Sequence, residues 1–189
     1  MISGLVLASG GASRLGVPVA EAVLGGRRLV DRAAFTLRAG GCDEVLAVVG
    51  PAATDVDGAR ALVTEPDADA GRSLRAGLAH LHPDTEAVLI VPADLPGVVP
   101  AEVKAAIGWY RNGASIIITR RAGERSHPVL IARRWIAQFA TAAEGEQPGR
   151  AFFARNFDDI DFLDYPEPMP DLQSPAELAA AQQYWRQDS

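Results

Sequence analysis

The chain has 189 residues, of which 48% are hydrophobic and 22% are charged, and such a chain can bury one substantial core. Its net charge of −6 at pH 7 argues against polymeric nucleic acid and anionic membranes as partners, because both are themselves negatively charged. Cys42 is the single cysteine, which excludes an intrachain disulfide and a Cys-x-x-Cys redox pair.

The first apolar run, residues 2–8, predicts a short buried strand. It has no basic flank and leads into a glycine-rich loop, so it lacks the features of a secretory signal peptide. No stretch of the sequence approaches the roughly 20 apolar residues that cross a membrane. We therefore expect a cytoplasmic protein that does not enter a membrane.

Strands and helices are predicted to alternate along the first 120 residues. Short, nearly continuous apolar runs predict strands that are buried on both faces, at residues 2–8, 44–49, 87–91 and 114–119. Apolar residues at helical spacing predict three intervening helices, at residues 29–38, 73–82 and 100–111. This alternation indicates an α/β fold with a doubly wound, mostly parallel sheet of the Rossmann-like kind.

The pattern becomes less regular after residue 119. It predicts a polar turn over residues 120–126, a short apolar run at 129–132 and a helix at 133–140. A proline-rich stretch then precedes an Ala- and Gln-rich helix at 174–186, which we expect to pack on its own sheet. The sequence has no internal repeat and no clear linker, so we predict a single domain over residues 1–189.

A glycine-rich segment, LASGGASRLG at residues 7–16, directly follows the first predicted strand. A doubly wound fold places its ligand crevice at this point. Small residues let the backbone approach a phosphate closely, successive N–H groups can surround an anion, and Arg14 can add a charged contact. The segment is neither a P-loop nor a G-x-G-x-x-G fingerprint. Glycine spacing alone is equally compatible with a phosphate-binding loop and with a tight structural turn.

The segment resembles the Leu-Ala-Ala-Gly-x-x-x-Arg-x-Gly-x-x-Lys signature of the MobA-like nucleotidyltransferases, which include the molybdenum cofactor cytidylyltransferases and guanylyltransferases. Further similar segments are GRRL at 26–29, residues 39–49, SLRAGL at 73–78, PADLP at 92–96, SHPVL at 126–130 and DLQSPAEL at 171–178. The resemblance implies a fold of the nucleotide-diphospho-sugar transferase type. It also implies transfer of a nucleoside monophosphate from CTP or GTP to a small phosphorylated acceptor, molybdopterin or another molecule. The sequence leaves open whether the protein is a monomer or a homodimer.

The resemblance also implies roles for individual residues. It assigns nucleotide contacts to Leu7, Ala8, Gly10, Gly11, Ser13, Arg14, Gly16 and Ser73. Arg14 and Asp94 are the implied catalytic residues, Asp94 and Gln173 the implied Mg²⁺ ligands, and His127 an implied substrate contact.

Each of these residues also has a structural interpretation. Asp94 follows a predicted central strand and can either face the crevice or cap an Asx turn. Arg14 can contact phosphate or pair with a surface carboxylate. Ser73 precedes a helical run and is typical of a helix N-cap. His127 can titrate and bind a substrate, or be a loop histidine without a role.

The chain departs from the family pattern at two positions. Val19 stands where the family has the lysine that contacts the triphosphate, and nearby Arg27 and Arg28 are candidate substitutes with a different geometry. Gln173 stands where the family often has an acidic or Asn metal ligand. Both departures favour two alternatives on the same fold. One is an NAD(P)H-dependent oxidoreductase of the nicotine blue oxidoreductase type. The other is a nucleotide-binding protein without catalysis.

Overall fold

The computed structural model describes residues 1–10, 15–65, 68–145, 147–168 and 170–187. The strands are β1 Ile2–Ala8, β2 Val23–Leu24, β3 Arg27–Arg28, β4 Glu44–Val49, β5 Arg60–Val63, β6 Ala87–Pro92, β7 Ile116–Arg121, β8 Glu124–Ala132 and β9 Ile160–Tyr165. The helices are α1 Leu29–Ala39, α2 Ala70–Ala79, α3 Pro100–Arg111, α4 Arg133–Thr141, α5 Arg150–Arg155 and α6 Pro175–Gln187. Short 3₁₀ turns occur at Val19–Glu21 and Phe157–Asp159.

Within the described residues, seven strands form one sheet in the order β5-β4-β1-β6-β8-β7-β9. Neighbouring strands run parallel except at β8, which is antiparallel to β6 and to β7. β2 and β3 form a separate small hairpin. The prediction of a doubly wound, mostly parallel α/β sheet is therefore confirmed.

The core has two layers, one on each face of the sheet. α1 and α3 cover one face, and α2, α4 and α5 cover the other. β1 shows why both layers form, because Val6 points into the first layer and Leu5 into the second, and both are fully buried. Successive side chains of a strand alternate between faces, so only a nearly continuous apolar run suits a central strand.

α6 packs on its own chain, as the sequence predicted. Leu178 and Ala181 lie against the first core layer, and the side-chain nitrogen of Gln182 donates to the Val23 carbonyl at 2.8 Å. The side chains of Tyr184 and Trp185 lie outside the described part of the chain. Among the helices that the structure describes, none combines the length and the apolar character needed to cross a bilayer.

The polar turn predicted for residues 120–126 is wrong, because the turn consists only of Ala122 and Gly123. Both residues have positive φ angles, 48° and 85°, as a two-residue hairpin between twisted strands requires. The flanking arginines stay in the ladder because each has a carboxylate partner: Arg120 binds Asp164 through two hydrogen bonds of 2.7 Å, and Arg121 binds Glu102 at 2.5 Å. Paired charges can therefore extend a strand beyond the point where the sequence pattern predicted its end.

The start of α2 also differs from the prediction. The helix begins at Ala70, and Asp69 is its N-cap, with a side-chain oxygen that accepts from the Arg72 N–H at 2.7 Å. The predicted cap, Ser73, lies inside the helix and is buried. The sequence pattern also missed β5 and β9, the two edge strands of the sheet, because β5 has only four residues and Asp161 and Asp164 interrupt the apolar residues of β9.

α2 can lie close to the sheet because Gly77 has no side chain. A β-carbon at this position would come within 2.6 Å of Leu5 Cδ1 and 3.0 Å of Val48 Cγ2. We expect Gly77→Ala to lower the free energy of unfolding by about 1–3 kcal/mol through overpacking. Gly108→Ala on α3 is the matched control, because a β-carbon there meets nothing within 4 Å. The control should be neutral or stabilising by up to about 1 kcal/mol. Urea unfolding of both variants measures the difference, and equal effects would contradict the packing argument.

Candidate functional site

The candidate site lies where β1 and β6 end side by side. Leu7 is paired with Pro92 in the parallel ladder, and the Ala93 N–H extends this ladder by donating to the Leu7 carbonyl at 3.0 Å. The glycine-rich loop that follows β1 and the loop that carries Asp94 after β6 therefore leave the sheet as neighbours. The carboxyl ends of parallel strands form the usual ligand crevice of a doubly wound sheet.

The loop after β1 returns to its own start. Gly10 is exposed, and its carbonyl accepts from the Val19 N–H at 3.1 Å. Gly16 has a φ of +75°, a conformation that favours glycine, and a β-carbon there would lie 3.6 Å from Pro175 at the start of α6. Of the nucleotide contacts implied by the sequence, Leu7, Ala8, Gly10, Gly16 and Ser73 border this edge, whereas Gly11, Ser13 and Arg14 lie outside the described residues.

Val19 belongs to the hydrophobic core, although the family signature has lysine at this position. Its side chain is 7% exposed, and its Cγ2 lies 3.1 Å from the place where a β-carbon of Gly10 would be. The Val19 side chain therefore packs against Gly10 at the start of the glycine loop. A charged group at this position would have to be buried.

Arg27 and Arg28, the candidate substitutes for the lysine, are both bound to carboxylates. Arg27 forms an ion pair with Asp57 at 3.1 Å. Arg28 donates two hydrogen bonds to Asp31, at 2.7 and 3.0 Å, and this interaction is the main cause that raises the pKa of Arg28. The structure therefore brings neither guanidinium to the glycine loop as an unengaged charge.

The two implied metal ligands lie at one corner of the crevice. The Leu172 N–H donates to the Asp94 carbonyl at 3.0 Å, which fixes the segment that carries Gln173 beside the end of β6. The amide nitrogen of Gln173 donates to Asp171 at 2.5 Å, so a cation would be coordinated through the amide oxygen. Glu177 accepts from the Gln173 N–H at 2.9 Å and keeps this segment at the start of α6.

These donors suit a hard cation. A carboxylate and an amide oxygen are the ligands that Mg²⁺ takes when it also keeps several waters and binds phosphates. Within the described ranges, no group of three or more His, Cys, Asp or Glu side chains forms a cage that could hold a metal by itself. A cation at Asp94 and Gln173 would therefore be shared with the phosphates of a ligand.

The first turn of α2 lies beside the end of β1, because Ser73 contacts Ser9, and two of its N–H groups are already bonded. Gly71 N–H donates to the Gly145 carbonyl at 2.9 Å, and the Arg72 N–H donates to the carboxylate of Asp69. Arg75 holds the same neighbouring segment through the Ala143 carbonyl. Within the described residues, these two N–H groups are therefore already engaged and are not available to an anion.

A buried contact between two hydroxyl groups links the glycine loop to α2. Ser9 Oγ and Ser73 Oγ are 2.5 Å apart, and the two residues are only 9% and 1% exposed. The family resemblance assigned a nucleotide contact to Ser73 but not to Ser9. Strand alternation was the available signal, because Ser9 continues the set formed by Leu5 and Leu7 that faces α2.

His127 lies in β8 and not in a loop. Val129 pairs with Ile90 of β6, so His127, two residues earlier on an antiparallel strand, lies toward the end of β6 that leads to Asp94. The peptide bond to Pro128 is cis. The imidazole is partly buried, and desolvation lowers the pKa of His127 to about 4, which leaves it neutral at pH 7.

The core position of Val19 predicts a large difference between two substitutions of similar length. Val19→Lys should lower the free energy of unfolding by about 3 kcal/mol or more, because it buries a charge without a partner. Val19→Met, the uncharged control, should cost about 1 kcal/mol. Urea unfolding at pH 7 compares the two variants. Equal stability would mean that the lysine side chain reaches the crevice, where a phosphate could bind it.

The lowered pKa of His127 predicts a pH dependence of stability. The unfolded chain takes up a proton near pH 6.5, whereas the folded chain takes it up only near pH 4. Stability should therefore fall as the pH drops from about 6.5 to about 4. His127→Gln should lose this part of the pH dependence, as measured by urea unfolding at several pH values. NMR titration of the imidazole provides the direct test, and a folded-state midpoint near 6.5 would contradict the prediction.

Comparison with known proteins identifies the family. A family model described as the MobA-like NTP transferase domain matches residues 4–160. Nicotine blue oxidoreductase of Paenarthrobacter nicotinovorans is 31% identical over 178 residues, and the match covers 86% of each chain.

Solved structures share the fold at lower identity. Rv0371c of Mycobacterium tuberculosis H37Rv matches with a TM-score of 0.84 and 22% identity, over 97% of this chain and 98% of that one. A structure of Rv0371c in complex with manganese matches with a TM-score of 0.75 and 22% identity, over 96% and 98% of the two chains. A nucleotidyl transferase from Methanothermobacter thermautotroptrophicus matches with a TM-score of 0.80 and 18% identity, over 100% and 99%.

These likenesses confirm the nucleotide-diphospho-sugar transferase type of fold. The family model spans most of the sequence, and the curated relative covers a similar share of it. The chain therefore belongs to the MobA-like NTP transferase domain family.

Proposed function

We propose that residues 1–189 act as one domain that transfers a nucleoside monophosphate group from CTP or GTP to a small phosphorylated acceptor. One observation carries this proposal: the ladder of β1 and β6 places the glycine loop and Asp94 at the same edge. The backbone bond between Leu172 and Asp94 adds Gln173 to that edge. A phosphate-binding loop next to an oxygen-rich corner is what transfer of a phosphorus group requires.

In the proposed reaction, a phosphate oxygen of the acceptor attacks the α-phosphorus of the nucleoside triphosphate. The new phosphorus–oxygen bond replaces the bond to the β-phosphate, and pyrophosphate leaves with that electron pair. Gly10, Gly11 and Ser13 would supply backbone N–H groups to the phosphates, and Arg14 a positive charge. The protein contributes mainly by positioning the two reactants and neutralising charge.

Asp94 and Gln173 would hold a Mg²⁺ ion. When bound, the ion supplies positive charge against the phosphate oxygens. The manganese complex of Rv0371c shows that a protein of this fold can bind a divalent cation. In this chain, Asp94 provides the charge and Gln173 only a neutral oxygen, so the ion would depend strongly on the ligand phosphates.

His127 would contact the acceptor and not the nucleotide. It approaches the end of β6 from β8, on the side away from β1 and its loop. As a neutral imidazole it can donate one hydrogen bond and accept another without adding charge.

Reduction of a substrate by NADH or NADPH is the second candidate function. Two observations favour it: Val19 is a core residue where the transferase signature has a cation, and nicotine blue oxidoreductase is 31% identical. The pyrophosphate of a dinucleotide carries less negative charge than a triphosphate. Hydride transfer from the nicotinamide needs no metal ion at the phosphates. This function predicts binding that does not depend on Mg²⁺.

Thermal unfolding with candidate ligands separates the two functions. The protein is heated with CTP, GTP, ATP, NADH or NADPH, with and without Mg²⁺. A ligand at a concentration one hundred times its Kd should stabilise the fold by about 2.7 kcal/mol. Stabilisation by one triphosphate only with Mg²⁺ supports the transferase. A metal-independent response to NADH or NADPH alone supports the reductase and overturns the transferase.

Asp94→Asn tests the metal corner directly. We expect this variant to lose the Mg²⁺-dependent part of the stabilisation by the triphosphate, while its own stability changes by less than about 1 kcal/mol. Turnover should fall by about a hundredfold or more, as for the loss of one charge-stabilising group. Asp84→Asn is the control, because Asp84 is an exposed carboxylate that precedes β6 at the opposite edge. Loss of stability in Asp94→Asn with an unchanged Mg²⁺ response would instead assign Asp94 a structural role.

A further inference from the structure

The hydroxyl groups of Ser9 and Ser73 have two O–H donors, and the hydrogen bond between them takes only one. Each hydroxyl carries one O–H donor, and the 2.5 Å contact consumes one of the two. No other hydrogen bond of either hydroxyl occurs within the described residues. Both residues are at least nine-tenths buried, so water does not readily satisfy the second donor.

The position of the pair indicates where this donor points. Ser73 lies deeper, at 1% exposure, and Ser9 lies at the crevice edge, at 9% exposure, directly before the exposed Gly10. If Ser73 donates to Ser9, both requirements are met: the deeper hydroxyl is satisfied inside the protein, and the outer O–H is directed to the crevice. The reverse arrangement would leave the deeper donor without a partner, which is costly.

We propose that Ser9 donates a hydrogen bond to the nucleoside part of the nucleotide and that Ser73 is a positioning residue that orients the Ser9 hydroxyl. The partner on the ligand would be an acceptor of the base or the ribose. A base or ribose acceptor suits this place better than a phosphate, because the carboxylate of Asp69 and the carbonyl oxygen of Gly145 lie at the start of α2 and would repel an anion. The proposed function assigns the phosphates to the glycine loop.

α2 is held firmly enough to serve this role. Gly71 lies so close to the segment before α5 that a β-carbon would meet the Ala143 carbonyl oxygen at 2.8 Å. The Gly71 N–H and the Arg75 guanidinium bond to carbonyls of the same segment. Ser73 is therefore fixed in place, and the orientation of the Ser9 hydroxyl is set before the ligand binds.

The inference rests on the proposed nucleotide site, and binding measurements with matched ligands test it. Dissociation constants for CTP, GTP, NADPH and inorganic tripolyphosphate are measured for the wild type, Ser9→Ala, Ser73→Ala and the double variant. We expect Ser9→Ala to raise the dissociation constant of the nucleotide by about three- to tenfold, which corresponds to the loss of one hydrogen bond. Binding of tripolyphosphate should be unchanged. The double variant should be no weaker than Ser9→Ala, because the two hydroxyls act as a unit.

Ser115→Ala is the control, since Ser115 is a buried serine before β7 whose hydroxyl accepts from Arg134 and Trp135. It should alter the unfolding midpoint without altering nucleotide affinity. Equal nucleotide affinity in Ser9→Ala and the wild type would overturn the inference and leave the proposed function intact. An equal loss for nucleotide and tripolyphosphate would also overturn it, because the serines would then shape only the loop. A wild type that binds none of the nucleotides would overturn the proposed function and the inference with it.

Discussion

The parallel pairing of β1 with β6 determines where the candidate site forms. Each strand ends in a loop rich in small or polar residues, and the bond between Ala93 and Leu7 keeps the two loop starts adjacent. β4 holds the other side of β1, so this strand is buried on both faces and along both edges. The loops after β1 and β6 can therefore be irregular, because pairing in the sheet holds the ends of both strands in place. The segment before α6 adds a third element, because the Leu172 N–H donates to the Asp94 carbonyl.

In the part of the chain that the structure describes, several arginines are engaged with carboxylates of the protein itself. Arg27 and Arg28 are bound to aspartates, Arg121 is bound to Glu102, and the single lysine of the chain, Lys104, lies on α3. A phosphate ligand would depend on the backbone of the glycine loop, on Arg14 and on a cation at Asp94. This distribution of charge suits a triphosphate that binds together with a metal ion. It also suits a dinucleotide, whose pyrophosphate carries less negative charge. The two candidate functions differ in whether the ligand needs a metal ion to bind, and Mg²⁺ dependence therefore distinguishes them.

Sequence patterns predicted the central part of the fold best, because burial on both faces leaves an unmistakable apolar run at β1, β4 and β6. The edge strand β9 was missed because two aspartates interrupt its apolar residues. The turn assigned to residues 120–126 was wrong because charge pairs such as Arg120 with Asp164 are formed only after folding. For the site, motifs indicated Asp94 and Gln173. Strand alternation indicates only that Ser9 faces α2, because its contact with Ser73 joins residues 64 positions apart.

The reversed direction of β8 has a consequence for how such a site can change. β1 and β6 contribute their carboxyl ends to the crevice, each followed by a loop, whereas β8 contributes its beginning, where His127 lies at an irregularity in the pairing with β7. Under the proposed function, the nucleotide would therefore lie against loop backbone and the acceptor against strand side chains. A substitution near the start of β8 exchanges one side chain without moving the glycine loop. Under the proposed function, such a substitution would change the preference for the acceptor and leave nucleotide binding unchanged.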